Sequence, residues 1–432
     1  MLTAFARAFR TPDLRKKILF VLAIVALYRL GSVVPSPGVD YTAIRTCIEA
    51  TSNSQVYNLI NLFSGGALLQ LSIFALGIMP YITASIIIQL LVVVIPRLEQ
   101  LKKEGQTGQG KLTQYTRYLT IALAILQSTG IAALARGVPS NLFPTCNQAL
   151  LPDTSVFTIT TLVVTMTAGT AVVMWLGELI TDRGVGNGMS ILIFTSIAAR
   201  LPSEGNRVLT TKGALVFAVV VAVGLVIVAA VVFVEQAQRR IPVQYSKRMI
   251  GRRMYSGTST YLPMKVNQAG VIPVIFASSL LYLPQLLSNA WQSNSPVRTF
   301  IERHLVQTDS PVYLVTYFVM ILFFTYFYVS ITFNPTEVAD NMKKYGGFVP
   351  GIRPGQPTAE YLDHILSRIT FVGALYLGIL AIIPYVAFGF LGTSQDFPFG
   401  GTAILILVGV GLDTVKQIES QLMLRNYEGF LR

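Results

Sequence analysis

A chain of 432 residues that is 53% hydrophobic and only 12% charged lies far from the balance of soluble domains, where charged residues make up about a quarter. A water-soluble globular fold is excluded on that ground, and an integral membrane protein is expected. The formal net charge of +13 suits an anionic lipid surface or an acidic or nucleic-acid partner.

Apolar, nearly uncharged runs predict ten spanning helices, near 18–34, 74–95, 115–134, 157–180, 188–201, 214–234, 271–287, 311–332, 365–387 and 401–415. The first, within "RKKILFVLAIVALYRLGS", has the basic and apolar parts of a signal peptide but no small-residue cleavage site, so it counts as a span. Residues 50–96 carry no charge and exceed twice the roughly 20 residues a spanning helix needs. Two crossings there would push "RLEQLKKEGQTGQGK" outside and invert all that follows, so one crossing and one non-crossing segment are expected. Gly65 and Gly66 break a helix, while Asn61 and Gln70 do not suit a lipid face. The non-crossing segment is therefore re-entrant, or else an external interfacial loop. The run at 188–201 is the shortest, and is expected to be tilted, extended or partly buried in protein.

With a cytoplasmic N-terminus and ten spans, both termini are cytoplasmic. The cytoplasmic segments then carry 25 of the 33 Lys and Arg, as the positive-inside rule requires. The other side carries Arg29, Arg45, Arg136, Arg200, Arg207, Lys212, Arg298 and Arg303. Cys47 and Cys146, the two cysteines, both fall in outer loops. A disulfide in an oxidising compartment and two unrelated thiols both remain open.

The chain repeats itself. "GIMPYITASII" (77–87) matches "GVIPVIFASSL" (270–280), and "NGMSILIF" (187–194) matches "GGTAILIL" (400–407). Each pair is separated by five crossings, an odd number, so the halves 1–211 and 212–432 insert with opposite orientation. The expected fold is all-α: ten transmembrane helices in two inverted five-helix halves around a central pore. The matches set Ile82 against Ile275 and Ile193 against Ile406 near the midplane, where such proteins place their site. Charge is missing there, the nearest acids being Glu178 and Asp413 at cytoplasmic span ends. An aliphatic constriction that blocks ions by dewetting fits this axis. A secondary transporter with the same repeat needs an intramembrane coupling charge instead.

Other motifs carry no chemistry. "GQTGQGKL" (105–112) nearly spells a phosphate-binding loop but ends in Leu112 where a hydroxyl is needed, and it leads into a span with no preceding strand. "GVGNGM" lacks the dinucleotide fingerprint and reads as a tight turn opening span five. His304 and His364 fall on opposite sides and form no metal site together. No nucleophile and base pair emerges from spacing. An enzyme is not expected, nor a cofactor or metal.

The stretches "GIMPYITASIIIQLL", "GELITDRGVGNGMSILIF", "RRIPVQYSKRMIGRRMY", "LPMKVNQAGVIPVIFASS" and "GGFVPGIRPGQPTAEYL" resemble the SecY family, the channel subunits of the bacterial Sec protein translocon. The resemblance runs along the whole chain. It implies a channel in the bacterial plasma membrane that translocates unfolded secretory polypeptides and releases transmembrane segments sideways into lipid. It further implies a short plug helix at about Asn61, Leu62, Phe63, Ser64, Gly65, Gly66, Ala67, Leu68, Leu69, Gln70 and Leu71, with span two following from about Phe74. The family's pore ring maps onto Ile82, Ile86, Met189, Ile193, Ile275 and Ile406, Met189 being the departure from an all-Ile ring. Without the resemblance these residues read as packing or lipid contact. At the lateral gate, where spans two and three part from seven and eight, Gln89 and Gln127 are candidate polar contacts, unless they bond within the helix bundle.

Two large cytoplasmic loops are expected near 235–268 and 333–364. The first carries Arg239, Arg240, Lys247, Arg248, Arg252, Arg253 and Lys265 against one acid, with Tyr245 and Tyr255 interleaved. By composition alone, positive-inside bias or anionic lipid binding accounts for this run. The resemblance implies that this loop, with Arg353 of "GIRPG" in the next, docks the ribosome through its RNA and the motor ATPase SecA. It also implies SecE and SecG subunits as partners, beside signal peptides, nascent chains and membrane lipid.

Overall fold

A computed structural model of the protein describes residues 9, 11–50, 64–136, 148–245, 248–250, 253–255, 259–278, 280–281, 296–306, 310–390 and 401–428. Inside lipid a single segment satisfies its backbone polar groups only as a helix. Each of the ten predicted runs does carry helix among the described residues. The chain divides into two compact units: Met1–Val220 with Phe388–Phe399 and Ile406–Arg432, and Val221–Ala387 with Gly400–Leu405.

The first unit holds α1 (Pro12–Val33), α2 (Tyr41–Ala50), α3 (Met79–Val94), α4 (Pro96–Lys103), α5 (Gln106–Ala135), α6 (Val156–Arg183), α7 (Gly188–Ala198) and α8 (Leu201–Lys212). Most of α9 (Ala214–Gln236) belongs to the second unit. There it is followed by strands β1 (Gln238–Tyr245), β2 (Arg248–Ile250), β3 (Arg253–Tyr255) and β4 (Ser259–Lys265). Next come helical turns at 272–278 and 280–281, α10 (Pro311–Thr332), α11 (Pro335–Lys344), β5 (Gly347–Phe348) and α12 (Gln356–Phe390). A last helix, α13 (Gly401–Glu428), returns from Ile406 onward to the first unit.

Among the described residues, five helical stretches suffice by length and composition to cross a membrane: α5, α6, α9, Pro311–Lys344 and Gln356–Ile383. The pair α3–α4, bent by 100°, adds a sixth. The bend falls where Pro96 opens α4, since proline removes a donor and clashes with the preceding turn. At 11 residues α7 rises only about 16 Å, roughly half of a hydrocarbon core of about 30 Å. It is walled in by protein, with Ile191, Leu192, Ile193, Ser196 and Ile197 buried. Large apolar side chains such as Leu126, Val164, Leu215, Val226, Phe233, Val315 and Phe323 stand exposed. In water they would form sticky patches, whereas hydrocarbon tails match them.

The second span begins at Met79 rather than Phe74. Residues 71–73 are committed elsewhere: Ser36 N–H donates to Leu71 O (3.0 Å), Ile73 N–H donates to Val34 O (3.0 Å), and Pro35 and Ser72 form a β-bridge. Gly77 then holds φ 54°, which right-handed helix forbids, so the span starts after it. Of the expected plug helix, Ser64 is helical and 65–71 are turns. Gly65, Gly66 and Leu71 all have positive φ (66°, 96° and 44°), which right-handed helix forbids. Asn61, Leu62 and Phe63 lie outside the described residues.

The first repeat has a backbone counterpart. Gly77 and Gly270, aligned in sequence, have φ of 54° and 60°. In each copy the same offset then closes a helical bond, Ile82 N–H to Ile78 O and Ile275 N–H to Val271 O.

Strands interrupt the all-helical expectation in the loops. Along β1, buried Ile241 and Val243 alternate with exposed Pro242 and Gln244, the period of two that marks a half-buried strand. β1 pairs antiparallel with β4 and with β5, and β2 with β3. Ile241 and Met264 pack with Val329, Val349, Leu362 and Leu366, which seats the hairpin on α10 and α12.

On the predicted outer side, Asp40 caps α2 by accepting from Thr42 N–H (2.9 Å), Thr42 Oγ1 (2.6 Å) and Ala43 N–H (3.2 Å). Cys47 on α2 is disulfide-bonded; Cys146 lies outside the described residues. Asp40 N–H donates to Leu150 O (3.1 Å) and Thr46 Oγ1 to Gln148 Oε1 (2.6 Å), so hydrogen bonds stitch α2 to 148–150. Cys47 shares a core with Leu68, Leu71, Leu150 and Met166.

Candidate functional site

Four of the ring residues sit in pairs one turn apart, Ile82 with Ile86 on α3 and Met189 with Ile193 on α7. Residues i and i+4 share a helix face. Asn187 opens α7 by accepting from Met189 N–H (3.1 Å) and Ser190 N–H (3.3 Å), so "GVGNGM" is a turn and helix cap. Ile82, Ile86 and Met189 are half-buried, and Ile193, Ile275 and Ile406 are buried. The Met189 sulfur lies over Gly177 of α6, 2.4 Å from where a Cβ would stand. All but Ile275 belong to the first unit.

The segment from Ser64 to Phe74 lies against α1 and α7. Arg29 Nη1 donates to Gly65 O at 2.7 Å. Tyr28, fully buried, hydrogen-bonds Ser196 Oγ at 2.7 Å, and its ring stacks on Phe74 with centroids 6.0 Å apart. Ser64 Oγ accepts from Leu68 N–H (3.2 Å), closing a turn inside the segment. Gln70 is half-buried with Oε1 enclosed, in keeping with a side chain unsuited to lipid.

The two large loops meet in one sheet of order β4-β1-β5, in which Gln244 opposes Phe348 and Tyr245 opposes Gly347. Arg239 and Arg240 on β1 are exposed. Arg353 is exposed too, in a turn pinned where Thr358 Oγ1 donates to its carbonyl (2.8 Å). Arg248 and Arg253 fall on β2 and β3; Lys247 and Arg252 lie outside the described residues. The acid of the first loop, Glu235, is buried and accepts from Asn267 Nδ2 at 3.1 Å, closing the base of the loop.

Gln89 is exposed and donates to Ser85 Oγ (3.4 Å) within its own helix, and Gln127 is half-buried on α5. Residues 106–112 form the first turns of α5 and so offer no loop to cradle a phosphate. Among the described residues no group of three His, Cys, Asp or Glu could hold a metal ion.

Glu178, near the end of α6, is closed in a two-pronged pair: Arg117 Nε and Nη2 each donate to one of its carboxylate oxygens at 2.8 Å. With side chains 43% and 18% exposed, the pair stands between surface and buried cases. Glu178→Gln is expected to cost about 1–3 kcal/mol. Adding Arg117→Met should cost less than the sum of the single changes, measured by thermal unfolding of the solubilised protein. Strict additivity would show that the pair contributes nothing.

Sequence reasoning did not single out Tyr28, Arg29 and Ser196. A signal was present in Arg29, a charge inside a predicted span. The strands were also missed, though the alternation in "RIPVQY" (240–245) marks one.

A family model described as SecY matches residues 72–415. Protein translocase subunit SecY of Streptomyces galbus is 66% identical over 439 residues, spanning 100% of both chains. The subunit of the same name from Mycobacterium tuberculosis is 61% identical over 443 residues, again across 100% of both. Among solved structures, one described as "The structure of a protein conducting channel" superposes with a TM-score of 0.63 at 16% identity, covering 94% of this chain and 91% of that one. Sec61 in a canine ribosome-channel complex from the endoplasmic reticulum gives 0.61 at 16% identity, with the same coverage. At these identities the structural likeness speaks to the fold.

Proposed function

Because the chain belongs to the SecY family, we propose that it conducts unfolded secretory polypeptides across the plasma membrane as the channel subunit of a protein translocase. The observation that carries this function is identity of 66% over full length to a protein translocase subunit SecY. Passage through hydrocarbon would cost several kcal/mol for each unsatisfied peptide group, so a watery route is needed. The same route must not leak ions when idle. A collar of Ile82, Ile86, Met189, Ile193, Ile275 and Ile406, contributed by two inverted halves, closes it by dewetting, and residues 61–71 plug it at rest. Burial of Ile193, Ile275 and Ile406 supports the collar over a lipid-facing role. Transmembrane segments leave sideways, through the gate that spans two and three form with seven and eight near Gln89 and Gln127.

Both termini and the two large loops face the cytoplasm, where Arg239, Arg240 and Arg353 with their basic neighbours dock the ribosome and the motor SecA. SecE and SecG complete the complex. The chain is not itself an enzyme; the motor hydrolyses the ATP.

The chain reconstituted with its small partner subunits in vesicles is expected to protect a secretory precursor from added protease, dependent on motor and ATP. Absence of protection beside an active relative's complex would overturn the assignment.

A further inference from the structure

We propose that Arg29 is a positioning residue, a latch whose guanidinium holds the re-entrant segment in its resting place by its bond to the Gly65 carbonyl. The proposal rests on the reading of residues 61–71 as a plug and adds how the plug is retained and released.

An arginine near the end of a spanning helix ordinarily turns its head outward to the interface. This one turns inward, with Nη1 2.7 Å from Gly65 O. Among the described residues its acceptor is thus a main-chain carbonyl. Such a carbonyl needs a donor when removed from water, and a charged donor makes the stronger bond.

The latch is mounted rigidly. Its neighbour Tyr28 is fully buried and bonded to Ser196 Oγ. The Ser196 hydroxyl hydrogen goes to Leu192 O (2.9 Å), so the tyrosine is the donor to Ser196. This bond ties α1 to α7 beside the guanidinium. Gly65 fits the slot between them because it has no side chain: a Cβ would stand 3.1 Å from Ser196 Cα and 3.2 Å from Arg29 Nη1, at a φ of 66°.

The segment is held at Gly65 by a side chain and at 71–73 by main chain. At 71–73, main-chain bonds to Val34 and Ser36 make a fixed pivot, with Leu71 fully buried in the left-handed conformation (φ 44°), a strained geometry that surrounding packing must impose. At Gly65 the hold includes the Arg29 side-chain bond, beside the packing of Ala67 and Leu68 in the protein. Loss of the Arg29 bond weakens the Gly65 end while the main-chain bonds at 71–73 remain.

The test is resting ion conductance of the complete translocase in planar bilayers, together with transport of a precursor bearing a defective signal. Loss of a charge-assisted bond should shift the closed equilibrium by about tenfold or more, so Arg29→Met is expected to raise both readouts by that factor. Arg29→Lys, which still donates, should restore most of the seal, a rescue that a merely structural role would not give. With residues 65–70 deleted, Arg29→Met should add nothing. If deletion leaves conductance unchanged, the plug reading itself fails. If deletion raises conductance and Arg29→Met does not, the latch fails and the plug stands. An equal rise from Arg29→Met in the deleted background also overturns the latch. Should the methionine variant not assemble, Arg29→Gln is read by the same criteria.

Discussion

Replacing Ile82 by Asn is expected to raise the resting ion conductance of the reconstituted channel about tenfold or more and to let precursors with defective signals through. An isoleucine collar excludes ions because it offers water no hydrogen bond. An amide does offer one, and regains about 1–3 kcal/mol of the cost of wetting the constriction, where each 1.4 kcal/mol is about a factor of ten. Ile82 is the cleanest position because it is half-buried. Ile275 and Ile406, at 6% and 1% exposure, would add a folding penalty to the leak. Ile125→Asn is the control: at 48% exposure on α5 it carries the same polarity to a face outside the collar and should leave conductance alone. Equal conductance in the Ile82 variant and the unmodified channel would remove Ile82 from the collar.

Reversing Arg240 and Arg353 to Glu together is expected to abolish ribosome docking at physiological salt and to weaken binding of the motor at least about tenfold. Both side chains are exposed, so the substitutions should leave folding within about 0.5 kcal/mol. Their segments belong to strands and turns joined by the β1–β5 pairing. A rigid partner can therefore meet both loops at once. If the contacts are to RNA phosphates, each lost arginine should lower the slope of log affinity against log salt by about 0.7 to 0.9. Sedimentation with ribosomes across a salt series checks this. Unchanged slope and unchanged translocation would leave these arginines as orientation signals only.

The ten helices were legible because lipid allows few alternatives: an uncharged apolar run must close its own hydrogen bonds, and helix does so locally. The start of the second span was misjudged by five residues for a related reason. Hydropathy sees Phe74 to Ile78 as greasy, but Gly77 holds φ 54°, which right-handed helix forbids, and Ile73 pairs with Val34 across 39 residues, which no local pattern announces. Strand β1 could have been read from its alternation, whereas its pairing with β5 joins residues about 100 apart. The disulfide stayed open for want of a distance, since loop position tells the compartment and not the separation of two thiols.

By itself the sequence determined the membrane setting, the ten helical runs, the internal repeat and the family, because each rests on composition, period or motif along the chain. Only the tertiary structure decided that Arg29 turns inward to Gly65, that Tyr28 meets Ser196, that Glu178 is closed by Arg117 and that two loops share one sheet. Those bonds join residues from 36 to 168 positions apart, and hydrogen bonds are decided by ångströms of separation, which folding alone supplies.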